Sequence, residues 1–163
     1  MRKFARRSER SLSIRIFVLN GVNLGTLGIR RPEIYGTMTL DDIERFIKDE
    51  FPALNLEFKQ TDSEGEMVAF TREAAGSDGL VINAGAWTHY SYALHDALEA
   101  LDVPKVEVHL SNVHTREEWR RVSVISPVVD ALVAGMGAHG YVAAVRYILE
   151  RGPDQSPPSA MRG

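Results

Sequence analysis

The stretch GLVINAGAWTHYSYALHDALEALDVPKVEVHL, Gly79 to Leu110, decides the fold. Gly79 to Asn83 (GLVIN) reads as a strand. The turn AGAWT follows. From Thr88 onward, Ala93, Leu94, Ala97, Leu98 and Leu101 recur at helical spacing and make one apolar face. Lys105 to Leu110 (KVEVHL), opening just after Pro104, is again strand-like. Strand, helix and strand in this succession argue a parallel pair with a crossover helix.

The same alternation extends both ways. Ile14 to Leu19 (IRIFVL) reads as the first strand, followed by a Gly- and Asn-rich loop from Asn20 to about Met38. Leu40, Ile43, Phe46 and Ile47 then fall on one helix face, with Thr39 as its N-cap. Leu56 to Gln60 reads as a strand and Glu64 to Ala75 as a helix. Val128 to Gly135 holds a fifth strand, and Tyr141 to Leu149 a last helix. The expected fold class is α/β, a five-stranded parallel sheet with helices on both faces.

Bulk properties narrow the function. The chain has 163 residues, 44% hydrophobic and 25% charged, with a formal net charge of −3. That suits one domain, expected over 14–150, and gives no electrostatic reason for a nucleic-acid or anionic-membrane partner. There is no cysteine, hence no disulfide, thiolate nucleophile or thiolate metal site, which fits a cytoplasmic protein. No apolar run approaches membrane-spanning length. Residues 1–13 (MRKFARRSERSLS) are basic without an apolar core, and read as a solvated tail rather than a signal, a transit peptide or a nucleic-acid arm. Residues 151–163 (RGPDQSPPSAMRG) read as a disordered tail.

Open parallel sheets bind ligands beyond the carboxyl ends of their strands. The polar clusters lie at those ends: NGVN, NAGAWTH and HLSNVHTRE. In the first loop, Tyr35 has Arg30 and Arg31 a few residues away, and positive charge favours a phenolate. An ordinary surface tyrosine is the plainer reading. The loop lacks the GK[ST] of a phosphate cradle, so a mononucleotide site is a weak reading. Glu107 and His109 alternate with Val108, so they point the same way and the carboxylate can orient the imidazole. That pair suits general-acid work, or a purely structural hydrogen bond. Leu110, Ser111 and Asn112 offer backbone N–H groups and a hydroxyl to an anion.

His89 and Asp96, seven apart on the expected helix, would share a face yet lie about 10 Å apart along its axis. One small ring cannot reach both, so one is structural or serves a neighbouring subunit. Arg116 and Arg120, four apart, would share a face suited to anchoring hydroxyls or a carboxylate, or form a solvated salt-bridge face with Glu117 and Arg121. The five histidines show no metal-ligand spacing, and no lysine is placed for imine chemistry.

The stretches NGVNLGTLGIRRPEIYG, QTDSEGE, NAGAWTHYSYAL, EVHLSNVHTREEWRR and GMGAHGY resemble, in order and spacing, the type II 3-dehydroquinate dehydratases over roughly 14–150. The resemblance implies a flavodoxin-like fold, a dodecamer built from trimers, and no metal or organic cofactor. It implies dehydration of 3-dehydroquinate to 3-dehydroshikimate, a reaction of the shikimate pathway. By motif match, Tyr35 takes the C2 proton and Arg30 keeps its phenol ionisable. Asn23 holds the water that stabilises the enolate. His109, oriented by Glu107, protonates the departing C1 hydroxyl. Asn83, His89 and Arg120 bind ring hydroxyls, Leu110 and Ser111 the carboxylate, and Asp96 reaches a neighbouring subunit's site.

Val22, Arg31, Thr61, His95 and Val122 depart from the family's usual residues, and Arg31 reverses a charge in the loop. Two other readings stand beside the main one. One is a paralogue for quinate breakdown or a related cyclic hydroxy acid. The other is a non-catalytic flavodoxin-like binding module.

Overall fold

The computed structural model describes residues 13–152. The expected tails lie outside these residues except at their inner ends, where Arg151 closes the last helix and Gly152 caps it.

Five parallel strands form one sheet in the order β2-β1-β3-β4-β5. They are β1 (Arg15–Asn20), β2 (Asn55–Gln60), β3 (Gly79–Asn83), β4 (Lys105–His109) and β5 (Ala131–Ala134). This is the flavodoxin-like order, whose direction of winding reverses between β1 and β3. Four long helices cover the sheet: α2 (Leu40–Glu50), α3 (Glu64–Glu73), α4 (Tyr92–Glu99) and α5 (His139–Arg151). A four-residue helix, α1 (Pro32–Tyr35), interrupts the first loop.

Alternation along β1 divides the core into two layers. Ile16 and Val18 pack with Ile43 and Ile47 of α2 and with Tyr141, Val145 and Ile148 of α5. Phe17 and Leu19 face the other way, onto Met67 of α3 and Leu94 and Leu98 of α4. Residues 16–19 are all fully buried, which is why the run carries no polar position. Thr39 is the N-cap of α2 as expected. Its hydroxyl accepts the Asp42 N–H at 3.1 Å, and the Asp42 carboxylate accepts the Thr39 N–H at 3.0 Å.

Two local departures matter for the site. The helix expected from Thr88 starts later: Gly85–His89 is a 3-10 turn, and Ser91 caps α4 by accepting the Leu94 N–H. His89 and Asp96 therefore do not share one helix, and the spacing argument between them fails. Arg116 and Arg120 also lie outside any α-helix, Arg116 after the 3-10 turn Val113–Thr115 and Arg120 within the 3-10 turn Glu118–Arg121.

The loops leaving β1 and β3 abut. At Gly21 a Cβ would lie 2.4 Å from the Ala84 carbonyl oxygen, so only glycine permits this approach. The Gly21 N–H donates to the Asn83 carbonyl at 2.7 Å. That bond closes the floor of the crevice where the sheet order reverses.

Candidate active site

A crevice opens above the carboxyl ends of β1, β3 and β4. Asn23, Arg30, Tyr35, Asn83, His89, His109, Leu110, Ser111 and Arg120 all line it, together with Arg116. Nine of the eleven residues singled out by sequence thus converge. Glu107 stands directly behind His109, and Asp96 is exposed on α4 and does not line the crevice of its own chain.

The β4 wall is built inside the sheet. Glu107 is wholly buried, and its Oε1 is 2.7 Å from His109 Nε2. That leaves Nδ1 as the ring nitrogen of His109 open to another partner. Three hydroxyls also donate to the carboxylate: Ser123 at 3.0 and 3.1 Å to its two oxygens, and Ser126 and Thr88 at closer range. Burial alone would push this carboxyl up. The His109 bond and charge, with the Ser126 and Thr88 hydroxyls, outweigh burial and hold it below the usual carboxylate range. Glu107 is thus a fixed anion that sets the tautomer and angle of His109.

His89 stands beside this pair, its ring parallel to that of His109 with centroids 6.4 Å apart. The ring edge of Trp119 closes on it from another side at 5.1 Å. Its Nδ1 lies 2.7 Å from the Val122 carbonyl, so that nitrogen donates and Nε2 is the acceptor. Burial, partly opposed by the Val122 carbonyl and reinforced by His109 and Arg120, holds its pKa below the ordinary histidine value. His89 is neutral at neutral pH.

The opposite wall is the α1 segment. Arg31 enters it in the left-handed region, with φ 40°, and Tyr35 ends the helix. The Tyr35 ring lies between two guanidinium groups, Arg30 at 5.3 Å and Arg116 at 5.0 Å from its centroid. Arg116 and Arg120 are anchored by Glu117 at 3.6 and 2.8 Å, with side chains only 9% and 14% exposed. Arg116 also donates to the Ser111 hydroxyl at 3.3 Å. Of the salt-bridge face considered from sequence, Glu117 does pair with Arg116 and Arg120, and both arginines line the crevice. Arg31 turns instead to Glu33 at 3.2 Å, outside the crevice.

Sequence reasoning missed the pairing of Arg116 with Tyr35, and the hydroxyl set of Thr88, Ser123 and Ser126. The Ser-x-x-Ser spacing of 123 and 126 was the one visible signal, and it means nothing until the fold brings it to β4. Among the described residues, the one His/Asp/Glu grouping with metal-compatible spacing is His95, Asp96 and Glu99 on the exposed face of α4, away from these walls.

A carboxylate-fixed imidazole facing a phenol flanked by two cations has the parts for removing one proton while delivering another. The sequence model described as dehydroquinase class II matches residues 14–149. The chain belongs to that family. The 3-dehydroquinate dehydratase of Pelodictyon phaeoclathratiforme is 52% identical over 137 residues, covering 82% of this chain and 91% of that protein. That of Fusobacterium nucleatum is 47% identical over 143 residues, covering 84% and 97%. The crystal structure of the type II dehydroquinase from Propionibacterium acnes superposes with a TM-score of 0.79 at 44% identity, covering 85% of this chain and 98% of that one. Membership in the class II dehydroquinases accounts for the five-stranded parallel sheet and for the order of the motifs along it.

Proposed function

We propose that this class II dehydroquinase removes water from 3-dehydroquinate, giving 3-dehydroshikimate, by proton abstraction at C2 followed by acid-assisted loss of the C1 hydroxyl. The observation that carries the reading is the pair of opposed walls: Tyr35 between two guanidiniums, and His109 on a buried carboxylate. A C2 proton next to a ketone is removable only if the enolate charge is stabilised. Tyr35 takes that proton, and Arg30 and Arg116 supply the positive charge beside its ring. Asn23, at the turn after β1, holds a water on the enolate oxygen. His109, fixed by Glu107, delivers a proton to the C1 hydroxyl as the C–O bond breaks. The electron pair of the C2–H bond becomes the C1=C2 double bond, and one water leaves.

Asn83, His89 and Arg120 bind ring hydroxyls, while Leu110 and Ser111 take the carboxylate. No metal or organic cofactor is required by these steps. Asp96 serves the crevice of a neighbouring subunit in a dodecamer built from trimers. Its exposure on α4, clear of its own crevice, supports that placement. Leu110, Ser111 and Arg116 line both this crevice and an adjoining cavity of about 480 Å³, which Arg31 and Glu33 also line. We place the activity in the cytoplasm.

The reading of a paralogue with an altered loop rests on Arg31, and Arg31 pairs with Glu33 off the crevice. Adding purified protein to 3-dehydroquinate should produce the enone absorbance of 3-dehydroshikimate. No absorbance change, with the protein folded and assembled, would leave only the binding-module reading.

A further inference from the structure

Beneath the crevice a polar chain ties Asn83 to two residues that none of the steps above uses, Asn20 and Tyr141. Asn20 and Asn83 are register partners on β1 and β3, the strands that flank the reversal of sheet order. Tyr141 reaches them from α5 on the layer below, its side chain fully buried. Its hydroxyl is 2.6 Å from Asn20 Oδ1 and 2.9 Å from Asn83 Nδ2. The far end of the Asn83 amide meets the Gly85 N–H, which donates to Oδ1 at 3.2 Å.

The polarity of this chain has a single solution. A backbone N–H can only donate, so the Gly85 end of the Asn83 amide must be its oxygen. The nitrogen then faces Tyr141, whose oxygen accepts one of its protons. Tyr141 has one proton of its own, and it goes to Asn20 Oδ1. Burial pushes the pKa of this phenol far above its ordinary value, so the proton stays in place across the working pH range. Gly85 itself is held by its backbone: φ is 61°, and a Cβ there would lie 2.8 Å from the Val22 carbonyl oxygen. One turn thus dictates the direction of four groups.

We propose that Tyr141 is a positioning residue for substrate binding: with Asn20 and the Gly85 N–H, it fixes the Asn83 amide so that its second N–H is presented to a ligand oxygen in the crevice. Asn83 is 3% exposed and lines the crevice, so that N–H is the part of the amide left for a ligand. Without the relay, the Gly85 N–H alone holds the amide, and its second N–H is aimed less firmly at the ligand oxygen. A loosely held amide binds a ring hydroxyl less tightly, because the ligand must then order it. Tyr141 touches no substrate, and its whole effect passes through Asn83. The proposal rests on the assignment of Asn83 to substrate binding.

The test is a double-mutant cycle on the assembled full-length protein, following KM and kcat for 3-dehydroquinate. Tyr141→Phe keeps the ring and removes the relay. We expect KM to rise about fivefold to tenfold, the range set by one neutral hydrogen bond, with kcat changed far less. Asn20→Leu removes the acceptor for the Tyr141 proton, which is left without its partner and competes with the Asn83 N–H that the Tyr141 oxygen accepts. It should raise KM by a similar factor, and it carries the test if Tyr141→Phe fails to fold. In the Asn83→Ala background neither substitution should raise KM further. An equal KM increase with and without Asn83 would reduce Tyr141 to general structural support and overturn the proposal. So would unchanged KM in both relay variants while Asn83→Ala alone raises it. Unchanged KM in Asn83→Ala itself would strike the earlier assignment of Asn83 and the relay with it.

Discussion

The two walls of the crevice are built in opposite ways. Glu107 and His109 sit on a central strand, 0% and 7% exposed, and every oxygen of the carboxylate is saturated by donors from three separate segments. Tyr35 sits at the end of a four-residue helix whose flanking positions, Arg31 and Gly36, are exposed and both adopt positive φ. Short helices have little intrinsic stability, so the α1 wall depends on the half-buried Tyr35 ring, which packs against the core under two guanidiniums. The acid is preorganised by the fold, whereas the base is assembled over it. The sheet wall supplies the preorganised electrostatics that the reaction needs.

That contrast is most exposed to substitution at Tyr35. Tyr35→Phe should lower kcat by at least about a hundredfold, the ordinary contribution of a general base, while changing KM little. Its chemical denaturation midpoint should barely move, because the phenol oxygen supports nothing in the core. Glu107→Ala should behave differently. It leaves one buried and two half-buried hydroxyls and a buried imidazole without their acceptor, and should cost about 3 to 5 kcal/mol of stability, as breaking buried pairs does. Urea unfolding of the two variants side by side checks the contrast. Equal stability losses would break it.

The cations give a finer test. Arg30→Ala and Arg116→Ala should each reduce kcat by about tenfold, one charge-assisted contact apiece, and Arg31→Ala should leave it nearly unchanged. Steady-state kinetics of the three variants decide whether Arg116 or Arg31 is the second cation at Tyr35. A large effect at Arg31 alone would reassign that wall.

The smallest expected effect is in acid. The Glu107 pKa is depressed in the fold, below the ordinary 4.5. The unfolded chain then binds more protons than the native one in the window between the two values. The stabilisation from Glu107 is therefore complete above the ordinary value and is lost as pH falls through the folded one. Glu107→Gln should be less stable than the parent at neutral pH, with the gap narrowing as pH drops below about 4.5. Urea midpoints at stepped pH measure it. A gap that widens in acid would mean the carboxyl is held neutral.

The sheet was legible because its strands are buried on both faces, which leaves Ile16–Leu19 and Leu80–Ile82 without a polar position. Tyr35, His109 and Arg120 were legible because parallel sheets gather ligand groups at strand ends. The 3-10 turns were not. A turn of three to five residues has no period to detect, so its last residues, Thr88 and His89, merged into the following helix and misplaced His89 relative to Asp96. Thr88, Ser123 and Ser126 are ordinary loop residues until tertiary folding sets them around Glu107. Arg116 was visible as a candidate, but its ring contact with Tyr35 joins segments that only the fold brings together.

The most direct test of the divided site uses deuterium. The account gives proton removal to Tyr35 and departure of the hydroxyl to His109, with an enolate between them. In D₂O, His109→Ala incubated with 3-dehydroquinate should wash deuterium into C2 of recovered substrate faster than buffer alone, while forming almost no enone. Tyr35→Phe should show neither exchange above buffer nor enone. Exchange that survives in Tyr35→Phe and disappears in His109→Ala would place the base on the sheet wall and contradict the account.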